Sequence, residues 1–321
     1  MPEGVAAAAS HVQRSQLSFP STLLESLRIF SRNKLLFFSI FSLIALPLSL
    51  LLFSLSSSSH YLKSEILSLE YLAAQAHTRF EARHVWRESR DYGLTLLRLK
   101  FFYFLPSYLL SLLLAVTAVI STDTLYHRKP ITLRAAVSGV KLTWMRPFAT
   151  SICVYVVLLL YAGAVRTLAG TLGRTSSGLR WVIRVGGSAV EMYIIAVSAM
   201  ALVVSIMETR FGWEAIRVGS GLMEGRRFGG WVLSVLLGLV TGWIGSRMES
   251  LMMDGGDSSA KFRWTTVMGI EEDWERLALI GLYAAVMVWS FVVVTVFYCE
   301  SKKRHVVREV DVNNIDEDSV L

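Results

Sequence analysis

The chain has 321 residues, of which 53% are hydrophobic and only 18% charged, with a net charge of +7 and a mean hydropathy of +0.49. A soluble domain of this size covers its surface with roughly a quarter charged residues, so a single water-soluble globule is excluded. Two cysteines, Cys153 and Cys299, are too few for a disulfide framework or a four-ligand zinc site.

Residues 1–20 are polar and Ala-rich, without the basic-then-apolar order of a signal peptide, and are expected to form a disordered tail. A bilayer core of roughly 30 Å takes about 20 apolar residues to cross as a helix. Six runs meet that need, near 35–56, 101–121, 147–165, 185–207, 230–244 and 277–298, the fifth being short and Gly-rich. Pro47 and Pro106 fall inside the first two and are expected to kink them. The expected fold is therefore all-α, a polytopic transmembrane bundle of about six spans over 21–300. The acidic stretch 301–321 is expected to be a disordered tail, ending in Ser319, Val320 and Leu321, a pattern a PDZ groove reads.

The segments before spans one, three and five resemble one another. Aligned on Lys34, Arg146 and Arg227, they place Phe30, Leu142 and Met223 four residues earlier. The small residues Ser26, Ser138 and Gly219 stand eight earlier, and Leu23, Ala135 and Ile216 eleven earlier. In the middle copy Leu133, Ala136, Val137, Val140 and Trp144 follow helical spacing, with Arg134, Ser138 and Lys141 off that stripe. Thr22 and Glu25 read as a capping box for the first copy, and Pro130 followed by Thr132 opens the second. Amphipathic helices of this kind lie in the membrane plane, so three units are expected, each an interfacial helix followed by a transmembrane hairpin. The competing reading is that connecting segments of membrane proteins are commonly basic and amphipathic.

The basic residues beside the spans, Arg32, Lys34, Arg134, Lys141, Arg146, Arg226 and Arg227, are expected to face lipid headgroups. Anionic membrane lipid rather than nucleic acid is the implied partner. Lys and Arg totals on the two sides are nearly equal. The tight abutment of basic residues on one side favours cytosolic N- and C-termini, in the endoplasmic reticulum or the plasma membrane.

Glu191 is the carboxylate inside a span and is a functional candidate on cost alone. A structural role competes, through snorkelling to the near helix end or pairing with Arg184. Gly230, Ser234, Gly238, Gly242 and Ser246 recur every four residues and are expected to let another helix approach closely, within the bundle or across a dimer. In the connection 57–100, His60, His77 and His84 lack metalloprotease spacing and a completing acid, and read as residues of a solvated or interfacial helix. Glu271, Glu272, Asp273 and Glu275 read as a polar helix start more than a cation site. Cys299, followed by Lys302, Lys303 and Arg304, is a candidate for palmitoylation, against the reading of an unmodified buried thiol.

No Walker loop, nucleophile elbow, Rossmann glycine pattern or Cys/His metal set occurs, so the expected function is non-enzymatic, with no cofactor. The leading expectation is a membrane protein that organises lipid or partner proteins; the alternative is a carrier for a small or amphipathic solute.

The stretch 144–161, WMRPFATSICVYVVLLLY, resembles a family of uncharacterised plant multi-pass membrane proteins, some carried under the name polyadenylate-binding-protein-1-B-binding protein. LLESLRIFSRNKLLF before span one and AMALVVSIMETRFGWEAIRVGSGLMEGRR after span four fit the same pattern, and the resemblance runs from about 20 to 300. More distantly, the layout is similar to the membrane domain of some bacterial glycerophosphodiester phosphodiesterases, without a counterpart of their catalytic domain. The resemblance implies a fold and carries no established chemistry.

Overall fold

The computed structural model describes residues 18–75, 79–129, 131–172, 177–254 and 273–318, with only the backbone given for some helical positions. Among them every regular element is helical: α1 (Ser18–Arg32), α2 (Lys34–Ile40), a π-helical turn (Phe41–Ala45), α3 (Leu46–Gln75), α4 (Arg79–Tyr126), α5 (Leu133–Thr143), α6 (Met145–Leu172), α7 (Ser177–Met207), α8 (Trp213–Leu222), α9 (Arg227–Asp254) and α10 (Asp273–Asp318). Six segments of the described residues are long and apolar enough to cross a membrane: Lys34–Leu69, Trp86–Tyr126, Met145–Thr171, Trp181–Met207, Arg227–Leu251 and Trp274–His305. Each contains one of the six expected runs. The protein is an all-α integral membrane bundle.

The helices outrun the apolar runs that define them. Most of the connection 57–100 is not a loop, because α3 continues to Gln75 and α4 starts at Arg79. No proline interrupts residues 57–100, so once the span has nucleated a helix, each further residue adds a hydrogen bond at little cost. Likewise 301–318 continues α10 as helix where a disordered tail was expected. Residues 1–17 and 319–321, with the terminal Ser-Val-Leu, lie outside the described residues, as do His77, Glu271 and Glu272.

Pro47 changes the geometry of its span. It is the second residue of α3, directly after the wide turn Phe41–Ala45. Its ring would crowd the carbonyl of Leu43 four residues back, and it has no N–H to give. A π turn at Leu43 opens that space without unwinding the helix. Pro106, by contrast, sits inside the continuous α4.

The short helices α1, α5 and α8 precede spans one, three and five. Thr132 caps α5 through its hydroxyl, which accepts from the Ala135 N–H at 3.4 Å. The Thr22–Glu25 capping box does not form: α1 starts at Ser18, so Thr22 lies inside it, and its hydroxyl donates to Glu300 at 2.9 Å. Of the aligned small residues, Ser26 and Gly219 are buried while Ser138 is exposed. A Cβ on Gly219 would stand 3.0 Å from the backbone nitrogen of Ala201, so α8 rests on α7 with no room for a side chain.

The chain divides into two compact units. One comprises Met1–Ile40, Ala115–Val240 and Val288–Leu321; the other Phe41–Leu114 and Thr241–Met287. In the first unit a core of Val116, Val119, Met200, Val203, Val204, Met223, Val293 and Phe297 joins α4, α7, α9's approach and α10. In the second, the Ser54 and Tyr103 hydroxyls share a hydrogen bond of 3.1 Å between α3 and α4, and Arg276 donates to the Leu251 carbonyl at 3.3 Å.

Candidate functional site: a charged cluster at one end of the first unit

Glu208 directly follows α7. Its Oε1 accepts hydrogen bonds from the Tyr298 hydroxyl and the Lys302 ammonium, both at 2.9 Å, and Lys302 also donates to the Tyr298 oxygen at 3.0 Å. Tyr298 and Lys302 are one helical turn apart on α10, which lets them share one acceptor. Arg146, at the start of α6, donates to the Glu208 backbone carbonyl at 3.4 Å. Partial burial would push the Glu208 carboxyl up, but the hydrogen bonds from Lys302 and Tyr298 and the charges of Lys302 and Arg210 outweigh it, so its pKa is lowered.

A second centre is built on Glu300. One carboxylate oxygen accepts from Thr22 of α1 at 2.9 Å and from the Arg226 guanidinium at 3.0 Å. The Arg226 side chain is only 6% exposed and lies 4.9 Å from the centroid of the Phe297 ring. Burial acts to lower the Arg226 pKa and outweighs the help from Glu300. The expectation that Arg226 faces headgroups is therefore corrected: it points into the protein. The cause is local. Gly225 has φ +86°, a conformation that only glycine adopts freely, and the turn it makes sends Arg226 inward and leaves Arg227 outside, 3.4 Å from Glu224.

A third contact places the Cys299 thiol 3.7 Å from Asp123 at the end of α4, with Asp123 also 3.5 Å from His127. Cys299 is 5% exposed. The palmitoylation reading is corrected on this geometry, since a thiol sealed between α4 and α10 cannot be reached by an acyl donor. Lys303 lies 4.4 Å from the Tyr126 ring. Gly212, which precedes α8, donates its N–H to the Thr150 hydroxyl at 2.9 Å and so fastens the α7–α8 connection to α6.

Asp123, Glu208 and Glu300 thus turn inward onto partners, the exposed acids Glu214 and Glu224 are each paired with an exposed arginine, Arg210 and Arg227, and the unpaired charges left on the exposed side are basic. Arg32, Lys34 and Arg134 are exposed, as are Arg28, Arg128, Lys129, Arg217 and Arg304. Arg146 is half-buried, and the Lys141 side chain lies outside the described residues. Trp144, Phe148, Phe211 and Trp213 are exposed on the adjoining connections.

The remaining candidates lie elsewhere. Glu191 is exposed on α7, within the Trp181–Met207 span. No ion pair joins it to Arg184, which lies two turns away along the same helix. The stripe on α9 does not act as one seam. At Gly230 a Cβ would collide with the Met223 side chain, and at Gly238 it would meet Met192 at 3.3 Å, so that half packs within the chain. Ser234 is half-buried, whereas Gly242 and Ser246 are exposed, and Gly242 has open space around its Cβ position. His60 is half-buried on α3, the His84 side chain lies outside the described residues, and Asp273 and Glu275 begin α10.

Sequence reading missed Glu208 and Glu300. Both stand at span ends, where a carboxylate ordinarily meets water and attracts no attention. Lys302 read as one member of a basic run; that it reaches back to a residue 94 positions earlier is a property of the tertiary structure.

Compared with curated proteins and with solved structures, the chain finds no match. A family model described as a domain of unknown function, DUF8558, matches residues 10–318, and the chain belongs to that family.

Proposed function

We propose that this is a non-enzymatic integral membrane protein whose end bearing α1, α5 and α8 engages anionic lipid headgroups, with both termini in the cytosol, at the endoplasmic reticulum or plasma membrane. One observation carries the reading. The acids Asp123, Glu208 and Glu300 are each in contact with groups of the protein, while Arg28, Arg32, Arg134 and Arg217 stand exposed, with no ion pair among the described residues. Cations beside an anionic leaflet contribute about 1 kcal/mol each. The exposed Trp144, Phe148, Phe211 and Trp213 are suited to the headgroup level, where an aromatic ring has one side in hydrocarbon and one in water. The short helices α1, α5 and α8 then lie along the interface.

Native mass spectrometry of the purified chain tests this. Phosphatidylserine and phosphatidylinositol should be retained in preference to phosphatidylcholine, and a variant with Arg28→Gln, Arg134→Gln and Arg217→Gln should lose the preference. Equal retention of neutral and anionic lipid would end the reading.

A further inference from the structure

Glu191 lies three residues from the middle of the Trp181–Met207 span, is exposed, and has no hydrogen bond or ion pair among the described residues. The Ser188 hydroxyl one turn earlier is spent on the Val185 carbonyl at 2.9 Å, and the Tyr161 hydroxyl on the Gly187 carbonyl at 2.6 Å. An ionised carboxylate bare to acyl chains at that depth is costly, and proteins that keep one there supply a partner. The helix beside it is also short of neighbours: only 6% of the most apolar window of α6 is buried, the least of the six spans.

The chain itself carries the complementary charge nearby. Arg184 shares the Glu191 face of α7, two turns or about 10.5 Å outward, too far to pair within one helix. Val165 packs on Gly187 at 3.0 Å from its Cβ position, which sets Arg166 of α6 about 7.5 Å outward of Glu191. Both arginines are exposed and, among the described residues, lack an ion pair. Along α7, Arg184, Ser188, Glu191 and Ile195 form one exposed stripe with steps of four, three and four residues, the spacing of a helix–helix seam.

We propose that the α6–α7 hairpin is a self-association surface on which Glu191 of one copy is neutralised by the Arg166 guanidinium of a second copy. Two copies related by an axis along the membrane normal bring like depths together, and an axial offset of about 7.5 Å is close to that spanned by charged pairs flanking parallel coiled coils. The same contact covers the bare side of α6. Lipid alone covers apolar surface but leaves Glu191 unpaired.

The full chain in lipid nanodiscs and in mild detergent provides the test. Mass photometry should give dimers, and Glu191→Gln should weaken association about tenfold, because the guanidinium of the second copy then loses its counter-charge. Arg166→Gln should weaken it equally, which guards against one variant that fails to fold. Ser188→Cys in a Cys153→Ala background should give an oxidative cross-link between copies. A monomer at every protein concentration, a dimer indifferent to Glu191→Gln, or no cross-link through position 188 would overturn the proposal.

Discussion

Arg226 and Glu300, 74 positions apart in the chain, meet at 3.0 Å with the arginine side chain almost sealed from solvent. Glu300 also holds Thr22, so a single carboxylate ties α1, the start of α9 and α10 together. Arg226→Ala leaves that carboxylate without its cation, and loss of one partner of a buried pair costs about 3 kcal/mol. Thermal unfolding in detergent should show a clear drop in Tm. Arg226→Met with Glu300→Gln should recover much of it, since an apolar stem remains on Phe297 and no bare charge is left.

The Glu208 cluster makes stability depend on acid. Its carboxyl titrates below the ordinary value of 4.5 when folded, so the folded state binds that proton less readily than the unfolded chain. The contribution is complete above the ordinary value and is lost as pH falls through the lowered one. Unfolding midpoints measured from pH 7 downward should therefore decline more steeply for the natural chain than for Glu208→Gln below that value.

Two glycines in the first and second units should respond in opposite ways. Gly219→Ala places a methyl 3.0 Å from a backbone nitrogen of α7, and backbone does not yield as a side chain does. The expected cost is about 1–3 kcal/mol. Gly242→Ala meets nothing within 4 Å and lies inside α9, so helix propensity alone acts and favours alanine by up to about 1 kcal/mol. Chemical or thermal unfolding of the two variants side by side reads the difference.

Cys299 should resist a maleimide in the folded protein and react after denaturation, because its thiol is enclosed beside Asp123. Half-buried Cys153 serves as the internal comparison. Rapid labelling of Cys299 under native conditions would contradict the packing of α4 on α10.

What was legible in the sequence is what a bilayer dictates. A run such as 277–298 has one physical reading at that length, and all six runs lie inside helices. The capping role of Thr132 was legible because a cap is local. Thr22 misled, since the motif is local but its hydroxyl is claimed by a residue 278 positions away. Arg226 and Arg227 look interchangeable as letters. The glycine before them, with its positive φ, separates one into the interior and one onto the surface. A helix was expected within 57–100; that it runs on unbroken from the spans over 57–75 and 79–100 was not legible, because mixed polar and apolar residues there carry no bilayer signal and helix continuity from the spans decides the outcome.

The proposal that a basic end meets anionic lipid is tested most directly by the unfolding temperature of the reconstituted chain. Nanodiscs of phosphatidylcholine alone should be compared with nanodiscs that include phosphatidylserine, at low and high salt. A higher Tm with phosphatidylserine, fading as salt shortens the screening length, is the expected result, because a ligand that binds the folded state stabilises it. The same Tm in both lipids at low salt would contradict the account.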